Sequence, residues 1–185
     1  MTNTIENIYS SALFELLEDE HGSKQPGFDA VLAELKAVGE VLDAAPELVK
    51  FTFVSTVTPE EKLGVIKNVF GGKVSPYVLN FLCVLSDKKR LGHFGRIERS
   101  FRAKYYDKFG IQPVTVTSAF ALAADQRAKI ISKMEEITGK KIELNEKTDK
   151  SLIGGIVVDY GESRIDGSVK TRLDSLKREI AETVL

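Results

Sequence analysis

Few side chains in this chain could do covalent or metal chemistry. It holds two histidines, His21 and His93, and one cysteine, Cys83. A nucleophile–base pair or a metal site needs several such groups converging within hydrogen-bond or coordination reach. Neither histidine has a Cys, His or carboxylate at ligand spacing. Cys83 lies in the densest apolar stretch, Tyr77–Leu85, where a thiol packs as a small hydrophobe and its thiolate is disfavoured. Gly154 and Gly155 lack the spacing of a phosphate cradle and precede a strand pattern instead of a helix. They read as close backbone packing or a strand bend. Asp166, followed by Gly167 and Ser168, reads as a helix start with Asp166 or Ser168 capping; as a catalytic carboxylate it has no visible partner. Catalytic residues, metal ligands and cofactors are therefore all expected to be absent.

One segment has the composition of a nucleic-acid surface. Lys88, Lys89, Arg90, Arg96, Arg99, Arg102, Lys104 and Lys108 interleave with Phe94, Phe101, Tyr105 and Tyr106, and clustered cations with stackable rings are what RNA recognition uses. This supports a helical RNA-binding module on the 88–108 face as the alternative reading. Against it, the Phe94/Ile97/Phe101/Tyr105 spacing is a core stripe, which turns most of the rings inward and leaves the cations as a solvated face.

The elements that carry these residues follow from hydrophobic period. The first ~110 residues read as six helices. Ile5, Ile8, Ala12, Leu13, Leu16 and Leu17 mark one face of the first, and Phe28, Val31, Leu32, Leu35, Val38 and Leu42 mark the second. Pro46 suits the first turn of a short third. Thr58-Pro59-Glu60-Glu61 forms a capping box opening the fourth, which Gly71-Gly72 close. Ser75-Pro76 opens a fifth that is apolar nearly all round, so a central position is expected. The sixth ends near Gly110. Then the period changes. Val114, Val116, Ser118 and Phe120 alternate with polar or small residues as in a strand, a helix spans about Asp125–Thr138, and Lys141–Glu146 and Gly155–Tyr160 read as strands. A last helix from about Ser168 carries Val169, Leu173, Leu176 and Ile180. The expected fold is α+β in two domains: a six-helix bundle over 1–108, a linker at about 108–113, and a small α/β domain over 113–185.

Composition narrows the class. Of 185 residues, 43% are hydrophobic and 29% charged, with a formal net charge of -1, a globular balance. No uncharged apolar run approaches the ~20 residues of a membrane span. Five acids precede the first basic side chain, Lys24, which argues against a presequence. A lone cysteine makes a reducing compartment the default. Charge is segregated: residues 1–57 hold 3 basic and 10 acidic groups, residues 58–110 hold 11 and 5. Without a convincing active site, the residues point to an interaction protein.

Four stretches resemble one family. Tyr9-Ser10-Ser11-Ala12-Leu13-Phe14-Glu15 is similar to the Y-A-x-A-L-F-E opening of the delta subunit of F-type ATP synthases, called OSCP in mitochondria. Phe81-Leu82-Cys83-Val84-Leu85, followed by Arg90, resembles its fifth-helix pattern. The paired signature near the C-terminus resembles Asp149-Lys150-Ser151-Leu152-Ile153-Gly154-Gly155-Ile156 and Asp166-Gly167-Ser168-Val169-Lys170-Thr171-Arg172-Leu173. Gly154, Gly155, Asp166, Gly167, Ser168, Arg172 and Leu173 thus stand as structural signature positions.

The resemblance implies a non-catalytic stator subunit of a proton-translocating ATP synthase. It would join the catalytic alpha/beta head to the peripheral stalk and resist torque. The N-terminal helices would grip the N-terminal helix of an alpha subunit, and the C-terminal part would meet the b subunits. The protein would sit peripherally on the cytoplasmic face of a bacterial plasma membrane, or on an organelle inner membrane or thylakoid, through the complex and without lipid insertion. Laying an amphipathic helix into an apolar groove suits such a grip. On the first helix Ile8, Tyr9 and Ala12 are the groove candidates; on the fifth, Val78, Leu79 and Leu82. Each reads equally as core, and the period alone serves both.

Overall fold

The computed structural model describes residues 4–22, 24–54 and 56–183, without the side chains of His21 and of 178–183. The fold is α+β, mostly helical with one small mixed sheet, and the chain divides between residues 105 and 106 into two compact units.

Six helices precede the first strand among the described residues: α1 (Ile5–His21), α2 (Gln25–Ala44), α3 (Pro46–Phe53), α4 (Pro59–Phe70), α5 (Pro76–Asp87) and α6 (Phe94–Phe109). Proline sits in the first turn of α2, α3, α4 and α5, where its missing N–H has no helical partner to lose and its fixed φ already suits the helix. The α4 capping box is complete: the Thr58 hydroxyl accepts from the Glu61 N–H at 3.3 Å, and the Glu61 carboxylate accepts from the Thr58 N–H at 2.9 Å. Ser75 caps α5 by accepting from the Val78 N–H, while its own N–H and hydroxyl donate to Glu34 of α2 at 2.9 and 2.7 Å.

The apolar stripes meet as their spacing requires. Leu13 and Leu17 of α1, Val31, Leu35 and Val38 of α2, and Phe94, Ile97, Phe101 and Tyr105 of α6 are buried. The Phe14 ring packs between those of Phe28 and Phe101, at centroid distances of 4.9 and 5.6 Å. α5 takes the expected central place, touching α1, α2, α4 and the Leu91–His93 turn. It buries Val78, Leu82 and Leu85 and leaves Val84 48% exposed.

The second unit holds β1 (Ile111–Ser118), α7 (Ala124–Thr138), β2 (Lys141–Thr148), β3 (Ile156–Tyr160), β4 (Ser163–Asp166) and α8 (Val169–Thr183). The strand order is β2-β1-β3-β4. β2 lies parallel to β1 across the α7 crossover, and the other two pairings are antiparallel. Val114 and Val116 of β1, Met134 of α7 and Val158 of β3 form the buried centre. Phe120, expected to extend the β1 alternation, falls beyond the strand and is 74% exposed.

Within 108–113, α6 runs to Phe109 and β1 begins at Ile111, which leaves Gly110 between them. Gly110 takes φ +61° there, a left-handed turn that glycine makes without strain. Pro113 sits inside β1, in the part paired only with β2, where one side of the strand needs no N–H donor. Strand β4 is additional; all four of its residues are exposed, so no alternation marks it. Ile180, expected inward on the last helix, has a side chain outside the described residues.

Candidate functional site

α1 and α5 meet side by side and run in opposite directions, with Tyr9 by Phe81 and Glu20 by Tyr77. Near the start of α1 the Tyr9 ring meets Phe81 edge-on, with centroids 6.4 Å apart. Arg90, just beyond α5, donates to the Tyr9 hydroxyl at 3.2 Å and lies over its ring. At the far end the Tyr77 hydroxyl donates to Glu20, and that hydrogen bond, ahead of burial and the carboxylate's charge, raises the phenol above its ordinary value. A helix with 3.6 residues per turn buries positions spaced by three and four. On α1 that buried row is Ser10, Leu13 and Leu17. The adjoining row therefore faces outward: Ile8 is 49% and Leu16 43% exposed, and Ala12 between them is also exposed. On α5 the row Tyr77, Phe81 and Val84 borders α1 and is half-buried to exposed.

The expected groove residues divide accordingly. Ile8 and Ala12 lie on the open face, and Tyr9 forms the floor contact with Phe81. Val78 and Leu82 are both 0% exposed, because they lie with Leu85 on the row that α5 turns into the core. Leu79 is half-buried and shares its flank with Cys83, one turn on. Burial raises the Cys83 thiol above its ordinary value, against a smaller lowering effect of Lys67 on α4. Phe81 and Val84, on the other row, are half-buried and exposed.

Polar contacts hold the first half of α1 in place. The Ser10 and Ser100 hydroxyls lie 2.8 Å apart, and Ser100 also donates to the Asn7 side chain at 2.8 Å. Glu6 lies 3.4 Å from both His93 Nδ1 and the Arg96 guanidinium. Its carboxyl is held below the usual value first by a backbone hydrogen bond and then by these two neighbours. The side chain of His21 is outside the described residues.

Three of the four rings of the 88–108 face turn inward: Phe94, Phe101 and Tyr105 are at most 4% exposed, and the Tyr105 hydroxyl donates to Asp29; Tyr106 is half-buried. Arg102 pairs with Glu98, and Arg99 donates to the Gly95 carbonyl. A cavity of about 380 Å³ between α2 and α6 is lined by Lys36, Glu40, Asp43, Glu98, Arg99 and Arg102 over Phe94, without a histidine, cysteine or serine. Among the described residues no three His, Cys, Asp or Glu side chains group as metal ligands, and no helix is long and apolar enough to cross a membrane.

The paired C-terminal stretches stack on each other. The Gly167 N–H donates to the Ile156 carbonyl at 2.9 Å, and the Val169 N–H to the Gly154 carbonyl at 3.0 Å. Asp166 accepts from the Ser168 N–H and the Thr171 hydroxyl, both at 2.9 Å, and the buried Ser168 hydroxyl accepts from the Thr171 N–H. Beyond this cap, Arg172 is exposed, and Val169, Leu173 and Leu176 run along α8 at 41%, 46% and 48% exposure.

Comparison with known proteins bears on all of this. Residues 5–180 match the family described as the ATP synthase delta (OSCP) subunit. "ATP synthase subunit delta" of Desulforamulus reducens is 33% identical over 172 residues, spanning 93% of this chain and 92% of that protein. The protein of the same name from Symbiobacterium thermophilum is 34% identical over 173 residues, spanning 94% and 90%. A chain in the cryo-EM structure of the Toxoplasma gondii mitochondrial ATP synthase hexamer superposes with a TM-score of 0.66 at 27% identity, covering 97% of this chain and 98% of that one. These matches give the RNA-binding reading no support. The chain belongs to the ATP synthase delta (OSCP) subunit family.

Proposed function

We propose that the chain is the non-catalytic stator subunit of a rotary ATP synthase, tying the catalytic head to the peripheral stalk. The N-terminal helices act as a six-helix bundle over about 1–108 and grip the N-terminal helix of an alpha subunit. The C-terminal α/β domain, about 113–185, meets the b subunits. The assembly would hold the protein on the cytoplasmic face of a bacterial plasma membrane, with no direct lipid contact.

The observation that carries the alpha-subunit end is the open apolar row Ile8–Ala12–Leu16 beside Phe81 and Val84. A helix whose own domain leaves such a row uncovered can bury it against an amphipathic partner, which is the helix-in-groove mode. Fully covering a Leu- or Ile-sized side chain contributes about 1.5–3 kcal/mol; Ile8, Leu16 and Val84 are already about half covered, so each adds roughly half of that toward the cost of association. The corresponding support at the stalk end is the Val169–Leu173–Leu176 row, whose i, i+4, i+7 spacing presents one apolar stripe.

Titrating the full chain with a synthetic peptide of the alpha N-terminal segment tests this, read by NMR. Shifts concentrated on Ile8–Glu20 and Tyr77–Val84 support the grip. Shifts confined to the exposed cations of α6 would overturn it.

A further inference from the structure

Resting on the reading of the α1–α5 groove as a docking site, we infer that its occupant is a helix with segregated charge, basic at one end and acidic at the other. The groove itself is polarised. From Tyr9 to Glu20 it follows α1 for about three turns, roughly 17 Å. At the Glu20 end a shallow cavity of about 430 Å³ is lined by Ala12, Leu16, Glu15, Asp19 and Glu20. The three acids occupy the last two turns of α1, where the helix dipole is already negative. That placement disfavours α1 itself and creates a place for a partner's cations.

The Tyr9 end has the opposite sign. α5 stops at Asp87, and Lys88, Lys89 and Arg90 follow. Lys89 turns the chain with φ +55°, and Arg90 is fixed by its bond to Tyr9. Asp87 pairs with Lys88, and Glu6 faces His93 and Arg96, so the cations there outnumber the acids. Between the ends lie Ile8, Ala12, Leu16, Phe81 and Val84, with Asn80 exposed beside them. A helix with mixed charge would meet like charge at one end whichever way it lay. A helix with segregated charge is complementary in one direction only, and rim charges of this kind set direction and encounter rate more than affinity.

The test uses the full chain and two end-blocked synthetic peptides of about 14 residues, sharing one apolar stripe at i, i+3, i+4 and i+7 spacing. One carries its lysines at one end and its glutamates at the other; the second alternates them. At low salt the segregated peptide should bind about fivefold tighter, and the advantage should fade near roughly 0.5 M salt. A nitroxide on its lysine end should broaden resonances of Glu15–Glu20. Replacing Glu15→Gln and Asp19→Gln together should remove the advantage. Equal affinities, or broadening centred on Lys88–Arg90, overturns the inference. Binding of neither peptide, or indifference of both to Leu16→Asp, overturns the groove reading and this inference with it.

Discussion

Gly155 and Gly167 meet backbone to backbone: a β-carbon on Gly155 would stand 2.3 Å from the Gly167 carbonyl oxygen. Gly155 also holds φ +79°, so a side chain there is disfavoured twice, by the left-handed backbone and by a rigid neighbour. Gly155→Ala should destabilise the second unit by roughly 2 kcal/mol or more. Gly139 provides the control. It has φ +66° but open space around its β-position, so Gly139→Ala should cost only about 1 kcal/mol. Urea unfolding of both variants, followed by NMR signals of the β1–β3 pair, measures the difference; equal costs would remove the close contact as the cause.

That contact explains what was legible in the signature stretches and what was not. Gly154–Gly155 reads from sequence as a close approach, and Asp166–Ser168 as a helix start. That each is the other's neighbour is a tertiary fact that no local spacing encodes. The same limit applies at the groove. On α1 the spacing puts Ile8 and Ala12 on one face with Leu13 and Leu17, so it could not say that the first two lie outside and the last two inside. On α5 both rows are apolar, so the period could not say that Val78 and Leu82 turn inward while Phe81 and Val84 do not. Helix starts were readable because proline and the Thr58–Glu61 box act within one turn. β4 was not, because Ser163–Asp166 is short, polar and wholly exposed.

Glu34 joins two helices through one carboxylate oxygen, which accepts both the N–H and the hydroxyl of Ser75. Hydrogen bonds to a charged acceptor are worth more than neutral ones, so Glu34→Ala should destabilise the first unit by about 1.5–3 kcal/mol. Ser75→Ala removes the hydroxyl's bond to Glu34 and the α5 cap on the Val78 N–H together, so it should cost a similar amount. Paired urea denaturation curves check this; a Glu34→Ala cost near zero would mean that the carboxylate does not tie the two helices together.

Acid should loosen the second unit through its caps. Asp166 is held below the usual carboxylate range first by the Ser168 N–H and then by the Ser168 and Thr171 side chains; Asp149 is lowered likewise, first by the Ser151 N–H. A carboxyl whose folded value is depressed stabilises the fold above its unfolded value, and that contribution disappears as pH falls through the folded value. The melting temperature of the second unit should therefore drop below about pH 4. Asp166→Asn should lower it at neutral pH and flatten the acid limb. An unchanged acid limb in that variant would mean that other groups carry the transition.

Two leucines on neighbouring helices separate the docking surface from the core. Leu16 is 43% exposed on the open row of α1, whereas Leu82 is fully buried in α5. Leu16→Asp gives up part of a half-buried side chain and adds an acid near the negative end of α1, so it should cost about 1–2 kcal/mol of stability and leave the unit folded. Its carboxylate would join Glu15, Asp19 and Glu20 and break the apolar row. Losing one buried leucine anchor weakens binding by roughly tenfold or more. Leu82→Ala leaves a cavity among packed neighbours and should cost about 2–5 kcal/mol of stability. At temperatures where it remains folded, its peptide affinity should stay near that of the parent chain. Thermal denaturation and titration with the alpha-segment peptide on both variants give the two readouts. If Leu16→Asp unfolds the unit, or Leu82→Ala weakens binding while still folded, the division between outer and inner rows is wrong. The opposite pairing, binding lost at Leu16 and stability lost at Leu82, follows only if α1 presents to a partner what α5 keeps for its own core.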